Sequence, residues 1–154
     1  MNNIKRITAL VMAMLMGILM FSGLTNVKAA QTAHVSISSA SANVGDEVTI
    51  TITASSDVKI ELCDIWIDYD ASILQYVNGF NTEGGGTGRL LSSDETSFKV
   101  VFKAINPGTA TISVNKSTSY TGSADEDFMS LTTSSGTVTV KAPASYSSDN
   151  TLKS

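Results

Sequence analysis

The stretch from Leu62 to Asp70 alternates between apolar and polar side chains, and it constrains the fold more than any other part of the chain. A period of two residues is typical of a β-strand with one face on a core. The set that suits a pleated, half-buried surface is Cys63, Ile65, Ile67 and Tyr69. The opposite set is Leu62, Asp64, Trp66 and Asp68. Because two carboxylates without an obvious cation are costly to bury, we expect this second face to be exposed to solvent.

Other segments repeat the same period. Val48, Ile50 and Ile52 alternate with threonines, and Phe98, Val100 and Phe102 alternate with more polar residues. Shorter strands are predicted near residues 35–38, 89–91, 109–114 and 136–140, with turn chemistry between them. No helical period of useful length occurs after residue 29, so the sequence predicts an all-β antiparallel sandwich or jelly roll of about seven to nine strands. The predicted core contains Val48, Ile50, Cys63, Ile65, Ile67, Phe98, Val100 and Phe102.

Three segments are predicted to be irregular. Residues 39–46 are rich in turn residues, and residues 117–127 are polar. Residues 78–88 contain a glycine-rich run, but no Gly-Lys-Ser/Thr follows it, so we interpret this run as a mobile loop and not as a phosphate site. Phe128 and Met129 then return the chain to the core.

The first 29 residues have the pattern of a secretory signal peptide. Lys5 and Arg6 precede an apolar run that ends near Leu24, and an A-x-A-like cleavage site ends at Ala29. An uncleaved membrane anchor is the alternative. Residues 30–141 then form one domain, and residues 142–154 are predicted to be a linker. The segment from Asp149 to Ser154 resembles the opening of cadherin-like repeats, so a further repeat is expected to begin there. We expect an extracellular or cell-surface protein with no membrane association after cleavage.

Charge and cysteine content exclude several classes of protein. Removal of Lys5, Arg6 and Lys28 leaves seven bases against 14 acids and a net charge of −7, so nucleic acid is not an expected partner. Cys63 is the only cysteine, and a disulfide framework needs an even set.

Catalytic chemistry also finds little support. His34 is the only histidine, and no serine or cysteine is placed beside it by a motif. Asp64 and Asp68 share one face but lie roughly 13 Å apart along a strand, too far for a glycosidase pair. We therefore expect no enzyme activity and no cofactor, except that Asp125, Glu126 and Asp127 are candidate calcium ligands.

The remaining functional signal is a binding surface. Leu62, Asp64, Trp66 and Asp68 combine an aliphatic side chain, an indole and two carboxylates on one face. Indole is a favoured anchor at protein interfaces, and its flat ring also stacks on sugars. The sequence therefore predicts that these four residues bind a protein partner or a polysaccharide.

The same strand carries a family resemblance. The run Cys63–Asp70, followed by Ile73, Leu74 and Val77, resembles the signature strand of cohesin domains of secreted bacterial surface proteins. The resemblance implies a nine-stranded jelly roll, a fold shared with carbohydrate-binding modules, that binds dockerin modules in extracellular assemblies. It also implies that the strand faces the partner, with an asparagine and an aspartate two residues apart as contacts. Asp64 matches that aspartate, whereas Leu62 stands where the asparagine would be.

Three functions follow as hypotheses. The first is a non-catalytic cohesin-like module that binds a dockerin-type protein. The second is a carbohydrate-binding module that uses Trp66 as a stacking platform. The third is an immunoglobulin-like spacer without a ligand, because the string from Pro107 to Val114 is also common in bacterial immunoglobulin-like repeats.

Overall fold

The computed structural model describes residues 30–93, 95–117, 119–123 and 128–143. The predicted signal peptide, the predicted calcium ligands Asp125, Glu126 and Asp127, and residues 144–154 of the predicted linker lie outside this part of the chain. The described residues form twelve strands: β1 Thr32–Ile37, β2 Ala40–Asn43, β3 Glu47–Ser56, β4 Leu62–Tyr69, β5 Leu74–Asn78, β6 Thr82–Gly84, β7 Thr87–Ser92, β8 Ser97–Ala104, β9 Gly108–Val114, β10 Tyr120–Gly122, β11 Ser130–Ser134 and β12 Gly136–Lys141. None of the described residues belongs to a helix long and apolar enough to cross a membrane.

The strands form two sheets. One has five strands in the order β11-β1-β3-β8-β5, and the other has seven, with β2-β12-β9-β4-β7-β6 in a row and β10 paired to β4. Neighbouring strands are antiparallel except for two pairs, β1 with β11 and β2 with β12. The predicted all-β sandwich is confirmed. Among the described residues it has more strands than expected, because several are short.

The inward faces of both sheets form one apolar core. All eight residues predicted to lie in the core are buried there, which confirms the alternation read from β3, β4 and β8. Cys63 is a free, buried thiol, and burial raises its pKa to about 11. A thiol with so high a pKa is protonated at neutral pH, so Cys63 acts as a small apolar side chain and not as a nucleophile.

The glycine-rich segment is a hairpin, so the prediction of a mobile loop was wrong. Strands β6 and β7 pair directly, and Gly85 and Gly86 form the turn between them with φ angles of 64° and 87°. A tight hairpin turn of this kind needs positive φ at both central residues, which glycine supplies without steric cost. The exposed edge strand β6 has no apolar alternation, and therefore its sequence gives no strand signal.

Two predicted irregular segments also contain strands. Residues 39–46 include β2, and residues 117–127 include β10, which pairs with the first half of β4. These strands have four and three residues, too few to show a period. The pairing of β10 with β4 matters for function, because it adds Tyr120 to the face that carries Leu62 and Asp64.

Candidate functional site

Strand β4 runs through the interior of the seven-stranded sheet. It pairs with β7 on one side and with β9 and β10 on the other. Its solvent-side residues Leu62, Trp66 and Asp68 are partly exposed, as predicted, but Asp64 is only 2% exposed. The expectation that the whole outer face of β4 is solvated was therefore wrong at Asp64.

A cation that the sequence did not place explains the burial of Asp64. Arg89 lies directly opposite Trp66 on β7 and reaches diagonally to Asp64. Its Nε donates to Asp64 Oδ1 at 2.8 Å, and its Nη2 donates to Oδ2 at 2.5 Å. Tyr120 and Trp66 also lie close enough to help lower the pKa of this carboxyl, after the larger effect of Arg89. The two N–H groups of Arg89, one on each carboxylate oxygen, replace water that Asp64 loses on burial.

Trp66 takes part in the same network with its ring. The Arg89 guanidinium carbon lies 5.5 Å from the centre of the indole, a cation–π contact. One face of the indole is therefore occupied by a side chain of the same domain. A sugar ring cannot stack on that face without displacing Arg89. Beyond Trp66, Asp68 Oδ1 accepts a hydrogen bond from Thr87 Oγ1 at 3.0 Å.

The other end of the outer face is apolar. Leu91 and Tyr120 lie opposite Asp64 on its two neighbouring strands, and Phe128 forms an isolated bridge with Gly122, which lies opposite Leu62. Leu91 is 40% exposed, Tyr120 36% and Phe128 74%, and the rings of Tyr120 and Phe128 meet edge to face at 5.4 Å. We call Leu62, Leu91, Tyr120 and Phe128 the apolar patch.

The apolar patch contains three residues that the sequence did not predict as a site. Phe128 was expected in the core, but only its neighbour Met129 is buried. Leu91 and Tyr120 belong to β7 and β10, whose pairing with β4 cannot be read from local pattern. In the sequence Phe128 directly follows an acidic run, and this position was the available signal that its ring faces solvent.

Two other sequence interpretations can be placed. Lys99, Val101 and Lys103, the residues that alternate with Phe98, Val100 and Phe102, lie on β8 in the five-stranded sheet and so on the opposite side of the sandwich from Trp66. His34 contacts the Thr132 and Ser134 hydroxyls at 3.0 and 3.2 Å. No group of three or more His, Cys, Asp or Glu residues that could hold a metal ion occurs within the described ranges.

The network predicts a pH-dependent stability. Hydrogen bonds and charge from Arg89 hold the pKa of Asp64 below its ordinary value of 3.8. A depressed pKa in the folded state stabilises the fold above the unfolded-state pKa, and this contribution disappears as pH falls through the folded-state pKa. We expect Asp64→Asn to lower the melting temperature clearly at pH 7 and by progressively less below pH 4. Thermal melts from pH 7 to pH 2 check this, and an equal deficit at every pH would contradict it.

Comparison with known proteins agrees with this architecture. A family model described as "Cohesin domain" matches residues 33–151. The fold is similar to the seventh type I cohesin of a scaffoldin from Pseudobacteroides cellulosolvens (20% identity, TM-score 0.62, covering 73% of this chain and 94% of that one). It is also similar to the sixth cohesin of scaffoldin B from Acetivibrio cellulolyticus, which was solved with a mutant Cel5 dockerin. The sequence identity is 18% and the TM-score 0.63, and the match covers 71% of this chain and 99% of that one. A non-cellulosomal cohesin from the archaeon Archaeoglobus fulgidus has a similar fold, with 13% sequence identity and a TM-score of 0.62. That match covers 71% of this chain and 91% of the archaeal one. No curated protein sequence matches the chain.

Proposed function

Because the chain belongs to the cohesin family, we propose that it is an assembly module whose partner is a protein of the dockerin type. Cohesin domains are non-catalytic scaffolding modules, and we propose the same of this chain. The relative from Acetivibrio cellulolyticus was solved in complex with a dockerin, which supports this class of partner.

The observation that carries the proposal is the apolar patch on the outer face of the seven-stranded sheet. Tyr120 and Phe128 are large aromatic side chains that remain exposed on the same face of the sheet as Leu91, outside the apolar core. Contiguous exposed apolar residues on a soluble domain mark interaction surfaces, and aromatic anchors contribute most to protein binding. We therefore propose that the partner covers this patch, together with the partly exposed Trp66.

The polysaccharide hypothesis is less well supported. Trp66 was its proposed platform, and Arg89 lies over one face of that indole. The spacer hypothesis, in turn, gives no reason for the exposure of Phe128. The protein-binding hypothesis accounts for both observations.

Calorimetric titration distinguishes these functions. The chain from Ala30 onward should bind at least one member of a panel of dockerin modules from the same genome saturably, with a dissociation constant in the micromolar range or tighter. Soluble cellulose and xylan oligosaccharides should give no heat of binding. Saturable binding of a polysaccharide, with no response to any dockerin, would favour the carbohydrate-binding module instead.

We further propose that the module acts outside the cell, as the N-terminal segment suggests. The exported protein should begin at or near Ala30, because the signal peptide is removed at its small-residue site. Mass spectrometry of secreted material checks this start and should find Cys63 without a partner within the chain. A mature protein that still carries residues 1–29 would show an anchored form.

A further inference from the structure

A groove opens on the side of the sandwich where both sheets end. Strand β5 is the last strand of the five-stranded sheet on this side, and β6 is the last of the seven-stranded sheet. The groove between them has a volume of about 500 Å³, which is in the size range of small-ligand sites. Its lining includes Tyr69, Leu74, Tyr76, Glu83 and Ile105. None of these residues belongs to the apolar patch, so the groove is a separate site.

Glu83 is the only charged residue in the lining, and its side chain points toward the interior of the sandwich. It lies opposite Gly88, whereas its neighbour Thr82 lies opposite Arg89. Because side chains alternate along a strand, Glu83 and Arg89 lie on opposite faces of the sheet. The Tyr69 hydroxyl donates to Glu83 Oε1, and no described residue bonds to the other carboxylate oxygen or forms an ion pair with Glu83. Since Glu83 is exposed, this second oxygen is open to a ligand.

The two tyrosines of the lining have their hydroxyl groups engaged. Tyr69 donates to Glu83, and Tyr76 Oη accepts from the Phe80 backbone N–H at 3.1 Å. Burial and the Glu83 carboxylate raise the pKa of Tyr69, so its phenol keeps the proton that it donates. Phe80 also stacks on Tyr76, with 5.2 Å between the ring centroids, and on Tyr69, with 6.3 Å. Both tyrosine rings are therefore held in place by their hydroxyl groups and by ring contacts.

The backbone and two aliphatic side chains complete the groove. The Tyr69 N–H donates to Gly86 O at 2.8 Å, which fixes the turn between β6 and β7 against the end of β4. A Cβ atom at Gly86 would lie 2.9 Å from Tyr69 O, so only glycine allows this close approach. Leu74 is fully buried and Ile105 partly buried, and they supply apolar wall. The groove thus combines one carboxylate with an aromatic and aliphatic surface.

These groups favour one class of ligand. An anion would be repelled by Glu83, and a neutral polyhydroxyl ligand would find both tyrosine hydroxyls occupied. A cation gains from the carboxylate and from the nearby aromatic rings, whose faces attract positive charge.

We propose that this groove binds an organic cation, that is, an ammonium or guanidinium group on an aliphatic stem. The charged end contacts Glu83 beside the tyrosine rings, and the stem packs on Leu74 and Ile105. Such a group occurs in the basic side chains of proteins and in free alkyl amines. The site goes beyond the proposed dockerin binding and does not depend on it.

Chemical-shift titration of the isotope-labelled chain from Ala30 onward tests the proposal. The probes are N-acetyl-lysine methylamide, which represents a protein side chain, and 1,5-diaminopentane, which represents a free amine. The matched control is N-acetyl-norleucine methylamide, whose side chain has the same carbon stem as lysine without the ammonium group. The amide signals of Gly85, Gly86 and Ile105 should shift saturably with at least one amine, with a dissociation constant in about the millimolar range. They should not respond to the norleucine control.

Two variants separate the carboxylate of the groove from the net charge of the domain. Glu83→Gln removes the charge but keeps an oxygen that can accept from Tyr69, so the melting temperature should stay close to that of the parent. It should weaken amine binding about tenfold or more, since a charge-assisted hydrogen bond is lost. Glu95 is exposed and lies beyond the opposite end of β8 from Ile105. Glu95→Gln removes the same charge and should leave the affinity within about twofold.

Each outcome supports or overturns the cation site. Saturable binding of either amine supports it, and the tighter of the two identifies the source of the cation. Equal shifts with the norleucine control would overturn it, because the groove would then select the aliphatic stem alone. Equal losses in Glu83→Gln and Glu95→Gln, or no saturable shift at Gly85, Gly86 and Ile105, would overturn it as well. A failure of dockerin binding in calorimetry leaves this result unchanged, since the groove and the apolar patch share no residue.

Discussion

Leu91→Asp should reduce the affinity for a dockerin partner roughly a hundredfold or more, because the new carboxylate would be buried in the interface without a cation. Leu91 is 40% exposed in the free domain, so its side chain contributes little to the core. Its backbone N–H donates to Asn81 Oδ1 at 2.6 Å, a bond that the substitution leaves in place. The loss should therefore appear in binding and not in the melting temperature, and calorimetry with parallel thermal melts measures both.

Val77 provides a matched control for Leu91. It is 39% exposed and lies on β5 in the five-stranded sheet, away from the apolar patch. Val77→Asp adds the same charge at equal exposure and should leave the affinity within about twofold, since distant surface charges act weakly. Equal losses for both variants would show that net charge, and not the patch, determines binding.

Phe102→Ala should cost about 3–5 kcal/mol of the free energy of unfolding, as truncation of a buried aromatic side chain typically does. Phe102 is fully buried on β8, and its ring contacts Tyr69 at 4.8 Å and Phe80 at 6.0 Å between centroids. Removal of the ring leaves a cavity between the two sheets that these neighbours cannot fill. Urea denaturation followed by circular dichroism measures the change.

The adjacent residue Val101 is the control for that experiment. It lies on the same strand but faces solvent on the other side of the five-stranded sheet and is only partly buried. Val101→Ala should cost less than about 1 kcal/mol. A Phe102→Ala protein as stable as the Val101→Ala protein would contradict the assignment of the core.

Sequence reasoning succeeded where the signal is local. The inward residues of β3, β4 and β8 follow a period of two over seven or more residues, so the faces of these strands could be assigned without knowing their neighbours. Leu62, Trp66 and Asp68 were placed on the outer face for the same reason. The fold class follows from several such strands with turns between them.

The prediction failed where contacts between distant residues decide the outcome. Asp64 can be buried only because the register of β4 with β7 brings Arg89 within reach, and register is not encoded in the pattern of either strand alone. The apolar patch could not be predicted either, because it depends on the pairing of β10 with β4. Strand β10 is only three residues long, and it places Tyr120 opposite Asp64, which lies 56 positions earlier in the sequence. The strand at residues 82–84 was missed for another reason. It is an exposed edge strand that buries neither face, so its sequence shows no apolar alternation.

Chemical-shift mapping is the most direct test of the proposal that the outer face of the seven-stranded sheet binds the partner. Amide signals of the isotope-labelled domain should shift on titration with the dockerin that binds best in calorimetry. The largest changes are expected at Leu62, Leu91, Tyr120 and Phe128, with smaller ones at Trp66. Changes concentrated on the outer face of the five-stranded sheet, at Lys99, Val101 and Lys103, would contradict it.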